Sequence, residues 1–230
     1  MKSPPLVSIC IPTYNSAKYI RTTVNSALCQ DYPNIEVIVC DDGSTDNTDT
    51  LLEDYVHRGQ IRYLSKENGG GGASSARNMA ISKAKGKYIL PLDSDDIILE
   101  NCVSSLMEIN GDDEAVVVSP WLTYFGDNRP ELWIPEKPNE HIISRNFIPN
   151  TSLYSKVVWE KVGGYDENMK LGYEDWEFWI RVYKLGGVDF RVSHKPTFLY
   201  RRTSSNNHMS KIQETNRQKN LDYINSKHRT

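Results

Sequence analysis

No stretch of this 230-residue chain approaches the roughly 20 consecutive apolar residues that span a bilayer. The opening "MKSPPLVSICIP" lacks the apolar core of a secretory leader, so a cytoplasmic location is expected. Cysteine is sparse. Cys10, Cys29, Cys40 and Cys102 form no CxxC pair and no Cys/His metal spacing, which argues against a zinc module or a disulfide framework. Cys10 and Cys40 sit inside apolar runs, where cysteine serves as a small hydrophobe. Neither sign of charge dominates: 27 Lys and Arg face 30 Asp and Glu, net −3, so no nucleic-acid partner is expected. No GxxxxGK[ST] loop occurs, and "DSDDIILEN" has neither the glycine nor the ligand spacing of an EF-hand.

The charge is unevenly spread. From residue 201 to 230, seven Lys and Arg face two Asp and Glu, so this end carries +5 and the remainder −8. A basic tail suits either a solvated terminal helix or peripheral contact with an anionic membrane surface at its inner face.

Several short runs read as strands: "LVSICIP" (6–12), "IEVIVC" (35–40), "IRYL" (61–64), "KYILPL" (87–92) and "AVVVSP" (115–120). Most are continuously apolar, as strands covered on both faces are. Helical patterns separate them. Ile20, Val24, Ala27 and Leu28 fall on one face; Leu51, Leu52 and Tyr55 follow the cap-rich "DGSTDNT"; a third pattern fills 73–85. Strand, helix, strand, helix predicts an α/β fold with a mainly parallel sheet. Beyond about residue 120, prolines and tryptophans replace that alternation. This predicts a closely packed second part of loops and short strands, with one clear helix at "EDWEFWIRVYKLG" (174–186).

Ligands of open parallel sheets bind beyond the carboxyl ends of the strands. Three runs end there in polar clusters: "PTYN" (12–15), "CDDGSTD" (40–46) and "LDSDD" (92–96). Asp41 or Asp42 can accept hydrogen bonds from a base or ribose, and Tyr14 offers a stacking face. Carboxylates spaced D-x-D on extended chain share one side. Asp93 and Asp95 can therefore divide the work, one on ribose and one on a divalent ion. Hard oxygens suit Mg²⁺ or Mn²⁺, and a cation there compensates the repulsion among the crowded acids. Asp96 reads equally well as a turn or cap residue.

"VSICIPTYN", "VIVCDDGSTDNT", "GGGGASSARNMAISKAKGKYILPLDSDD" and "GGYDENMKLGYEDWEFWIRV", in that order, resemble glycosyltransferase family two. The resemblance implies the GT-A fold, a Rossmann-like sheet flanked by helices. It divides the chain into a nucleotide-sugar half (1–120), an acceptor half (121–208) and the basic tail (209–230). It implies inverting, metal-dependent transfer of a sugar from a nucleotide-sugar donor, UDP first among the nucleotides, to a hydroxyl of a glycan or lipid-linked acceptor in surface polysaccharide or glycoconjugate synthesis. Carried over, Pro12, Tyr14, Asp41, Asp42, Arg77, Asp93 and Ser94 bind the donor. Asp95 holds Mn²⁺ or Mg²⁺, with His208 a further ligand. Asp175 is the catalytic base, and Glu174 and Trp176 contact acceptor or donor. Trp121, Trp133, Tyr165 and Trp179 offer further faces for sugar rings. The glycines of "NGGGGASS" suit a mobile loop over a ligand.

Two other readings compete. A sugar nucleotidyltransferase would share the crevice and acids, but would carry a Gly-rich basic motif near the first strand, which "PTYNSAKYI" lacks. A degenerate domain binding a sugar nucleotide or glycan without turnover would be expected to have lost one of Asp42, Asp95 or Asp175, and all are present.

Overall fold

The computed structural model describes residues 3–67, 72–127, 130–170, 172–202 and 207–228, with the side chains of 207–215 excepted. Strands β1 (Val7–Thr13), β2 (Ile35–Asp41), β3 (Arg62–Ser65) and β4 (Tyr88–Pro91) form a parallel sheet in the order β3-β2-β1-β4, closed by a short antiparallel β8 (Tyr154–Ser155) beside β4. Helix α1 (Ile20–Leu28) follows β1. A 3-10 turn (Thr50–Leu52) and α2 (Glu53–His57) follow β2, and α3 (Gly72–Lys83) follows β3.

Side chains alternate across β1. Val7, Ile9 and Ile11 join Ile20, Val24 and Ala27 of α1 in one core, together with Val103 and Leu106 of α4 (Cys102–Asn110). Cys10 turns to the other face, where Ile38, Cys40 and the α3 residues Ala76, Ala80 and Ile81 pack. Both faces are covered, which is why the strand sequences read as unbroken apolar runs. The chain extends from β1 through β2 to β3, then returns to the far side of β1 as β4. That reversal opens the crevice at the carboxyl ends of β1 and β4.

The second part differs from the expected short strands. β6 (Val116–Gly126) and β9 (Asp189–Arg202), 11 and 14 residues long, pair in parallel within a second sheet ordered β5-β9-β6-β7, with β5 (Ile97–Ile98) and β7 (Glu131–Trp133) outside. The expected division at residue 120 falls inside β6. Pro120 is tolerated there because the register with β9 shifts between Ser119 and Trp121, freeing that position from the ladder. Helices α5 (Lys156–Val162) and α6 (Glu174–Leu185) follow, and α7 (Asn207–His228) takes in the described part of the basic tail.

Candidate active site

The loops after β1 and β2 are stitched together by side chains. Asn15, in the left-handed region at φ 49°, accepts from Thr45 N through Oδ1 at 2.8 Å, and its own N–H donates to Ser44 Oγ at 2.9 Å. Ser16 N–H donates to Thr48 Oγ1, and Ala17 N–H to Asp46 Oδ2, both at 3.0 Å. Pro12 is buried in β1, while Tyr14 stands 49% exposed at the loop tip. Asp41 accepts from Ser44 N and Oγ and from the Tyr63 hydroxyl, at 2.8, 2.7 and 2.7 Å, so its carboxylate holds the turn. Asp42 instead faces Lys66, whose Nζ lies 2.8 Å from its Oδ1 and also donates to Ser75 Oγ at 2.7 Å.

The loop after β4 carries Asp93, Ser94, Asp95 and Asp96. Ser94 Oγ meets Ser16 Oγ at 2.6 Å, which joins this loop to the first. Arg77 of α3, only 1% exposed, donates to Asp93 Oδ1 at 2.9 Å and to Glu174 Oε1 at 3.2 Å. Its guanidinium lies over the Tyr165 ring at 4.8 Å. Arg77 thus sits beneath the crevice and ties the β4 loop to the start of α6. Asp96 is buried. Burial first, and then the charges of Asp95 and Asp93, push its carboxyl well above the ordinary range. Arg201, at the end of β9, donates from its backbone N–H to Asp96 Oδ1 at 2.8 Å and from Nε to the Asp95 carbonyl at 2.6 Å.

On the far side, Gly172 and Tyr173 turn the chain through positive φ, 96° and 65°. A left-handed tyrosine is a strained choice, of the kind that clusters at functional sites, and it immediately precedes Glu174 and Asp175. Surrounding protein mass, and then the charge of Glu174, raise the Asp175 carboxyl to about 7. Asn146 Nδ2 donates to Asp175 Oδ2 at 3.4 Å, and four residues on, Asn150 Nδ2 donates to Asp93 Oδ1 at 3.1 Å. Tyr200 registers the convergence of the acids. Although the residue is 38% exposed, the protein around its hydroxyl raises it, and Asp96, Asp93, Asp95 and Asp175 all add to the shift.

Trp176, expected to touch a ligand, is buried, and its indole N–H donates to the Ile142 carbonyl at 2.5 Å. Trp179 and Tyr165 are likewise core side chains. Their aromatic surface is spent on packing around Phe178, on which Tyr165 stacks with centroids 4.3 Å apart. Lys66, Asn146, Asn150 and Tyr200 escaped the sequence reading. They lie at a strand end, in an irregular loop and in a long mixed-polarity strand, where no periodicity marks them. The side chain of His208, in α7, lies outside the described residues, as do the glycines at 69–71 before α3.

Among the described residues no group of three His, Cys, Asp or Glu is arranged to hold a metal ion. The donor set nevertheless fits Mg²⁺ or Mn²⁺ held partly by substrate phosphates, which needs only one or two protein carboxylates. Asp95 supplies hard oxygens, and Asp96 Oδ2 is buried with no hydrogen-bonding partner.

The family model "Glycosyl transferase family 2" matches residues 8–176. The chain belongs to this family. An uncharacterized glycosyltransferase of Rickettsia prowazekii is 34% identical over 200 residues, 81% of this chain and 61% of that protein. Chondroitin synthase of Pasteurella multocida is 35% identical over 193 residues, 79% of this chain and 19% of the synthase. The crystal structure of S. aureus TarS 1-349 in complex with UDP-GlcNAc superposes with a TM-score of 0.73 at 27% identity, covering 89% of this chain and 60% of that one. The fold is therefore the GT-A fold that the motifs implied. This family member spans less than two thirds of the length of the relatives it matches.

Proposed function

We propose that this chain transfers a sugar from a UDP-sugar to a hydroxyl of a glycan or lipid-linked acceptor, with inversion. The observation that carries the reading is Asp175, a carboxylate raised to about 7 and held through Glu174 and Arg77 opposite Asp93. A base with that pKa accepts a proton from an attacking hydroxyl near neutral pH. Inversion follows if the acceptor enters from the Asp175 side and the nucleotide leaves on the other. Arg77 fixes the two sides at one separation, which removes much of the entropy of a bimolecular encounter.

On the donor side Tyr14 stacks on the base, and Asp42 and Lys66 read its edge. A carboxylate beside an ammonium matches an N–H beside a carbonyl, the edge of uracil, thymine and guanine. Cytosine and adenine present the reverse. The complexes that support a UDP-sugar are those of TarS, crystallised with UDP-GlcNAc. Asp93 and Ser94 face the ribose or sugar. Asp95 would hold Mn²⁺ or Mg²⁺, which when bound neutralises charge on the leaving diphosphate. We assign 1–120 to the donor and 121–208 to the acceptor on this basis, with P. multocida chondroitin synthase supporting a polysaccharide context.

No described helix is long and apolar enough to cross a membrane. Arg217 and Lys219 are exposed on α7, and they are the cations of the basic tail proposed to reach an anionic surface at the cytoplasmic side. Calorimetric titration of UDP with and without Mn²⁺, on wild type and Asp95→Asn, tests the donor site. Tight binding that needs both the metal and Asp95 is expected; equal affinity in all four titrations would remove Asp95 and the cation from the account.

A further inference from the structure

The last turns of α7 rest against the back of the helix that carries Asp175. Glu177 lies two positions after Asp175 on α6, so the two side chains point about 200° apart around the helix. Glu177 is completely buried, and a buried carboxylate is costly unless paired and hydrogen-bonded. Arg181, one turn on, grips it with Nε and Nη2, at 2.9 Å from Oε1 and 2.7 Å from Oε2. The remaining partners come from α7: Lys227 Nζ at 2.9 Å and His228 Nε2 at 3.0 Å, both on Oε1. Burial alone would raise the Glu177 carboxyl; the hydrogen bonds and charges of Arg181 and Lys227 outweigh it and hold the group below its ordinary value.

Lys227 does a second job. Its Nζ lies 2.6 Å from Asp166 Oδ2, which also accepts from the Tyr223 hydroxyl at 2.8 Å. Asp166 lies near the start of the loop between α5 and α6, and Arg181 Nη1 ties the same stretch down through the carbonyls of Val162 and Gly164, both at 2.6 Å. Between these anchors stands Tyr165, stacked on Phe178 and lying beneath Arg77. A continuous set of contacts thus leads from Lys227 to the guanidinium that holds Asp93 and Glu174. Ile224, buried in the same core as Phe178 and Trp179, seats the strap.

We propose that Lys227, with the end of α7 that carries it, is a positioning residue for sugar transfer: by neutralising Glu177 and pinning Asp166 it fixes the first turns of α6, and Asp175 with them, against the Arg77-braced donor loop. The proposal rests on the reading of Asp175 as the base. Lys227→Met and Lys227→Arg in the full chain test it, by transfer kinetics, UDP calorimetry, thermal melting and hydrogen exchange of residues 174–181. Well below its melting temperature, Lys227→Met is expected to lose about tenfold or more in kcat, as displacement of a catalytic group does, while UDP affinity stays within about twofold because Lys227 lies off the donor site. Exchange in 174–181 should quicken, and Lys227→Arg should restore both kcat and protection. A lower melting temperature with wild-type kcat and unchanged exchange would overturn the proposal and leave α7 a plain stabilising helix. Should wild type turn over no sugar nucleotide, the transferase reading fails, yet the exchange arm still decides the strap: quickened exchange supports it and unchanged exchange overturns it.

Discussion

Arg77 Nη2 lies 2.9 Å from Asp93 Oδ1, and the same guanidinium reaches Glu174 at 3.2 Å. One buried cation therefore joins a strand-end carboxylate to the start of a helix 81 residues further along the chain. Arg77→Met leaves both acids without their counter-ion in a confined space. Breaking such a pair costs about 3 kcal/mol, the low end of the buried range because Asp93 is part-exposed. Denaturant melts of wild type and variant measure it. Lys in place of Arg should recover only part of the loss, since one ammonium cannot bridge both carboxylates in the plane of a guanidinium.

In the proposed mechanism Asp175 sets the pH dependence. Burial and the neighbouring Glu174 raise its pKa to about 7, so the proton stays on below that pH and the basic form prevails above it. The kcat/KM for transfer should therefore rise about tenfold per pH unit on the acid side and level off above neutrality. A rate profile from about pH 3 to 9 checks this, and a limb near pH 4 would mean that an ordinary exposed carboxylate acts as the base.

Lys66 and Asp42, 2.8 Å apart, should set base preference. UDP is expected to bind at least about tenfold more tightly than CDP, the difference that one mismatched donor–acceptor pair produces. Lys66→Met should weaken UDP and shrink that ratio. Calorimetry with UDP, CDP and ADP gives both numbers, and equal affinities in wild type would take the pair out of base recognition.

Asn146 donates to Asp175, and a hydrogen bond to the charged form favours that form. Asn146→Ala should shift the acid limb of the rate profile upward by about 0.7 unit, the equivalent of a bond worth about 1 kcal/mol. UDP affinity should not change. An unmoved limb would assign Asn146 to its own loop, where its Oδ1 accepts from Ile148 N at 3.1 Å.

The first part of the chain, through β4, was legible because its signals are local. Apolar runs such as "IEVIVC" become strands wherever both faces are covered, and Asp93 and Asp95 announce themselves by crowding at a strand end. β9 was not legible. Its sequence "DFRVSHKPTFLYRR" mixes buried Phe190 and Phe198 with exposed His194 and Lys195, so neither a period of two nor a continuous run appears. Asn146 and Asn150 gain meaning only from contacts at sequence separations of 29 and 57. Asp41 and Asp42 look alike in sequence. What separates them is that Tyr63 and Ser44 occupy the first, while the second meets the Lys66 ammonium. The five aromatic residues read as sugar platforms include three, Tyr165, Trp176 and Trp179, that are buried, because large rings enter cores as readily as binding faces.

The most direct test of the account is the rate of sugar transfer from UDP-sugars by wild type and Asp175→Asn, each with its UDP affinity measured on the same preparation. The account predicts transfer by wild type, a loss of at least about a hundredfold in Asp175→Asn, as removal of a general base produces, and UDP affinities that agree within about twofold because the base does not touch the nucleotide. Transfer by Asp175→Asn at the wild-type rate would contradict it, and the base would have to be sought elsewhere in the crevice.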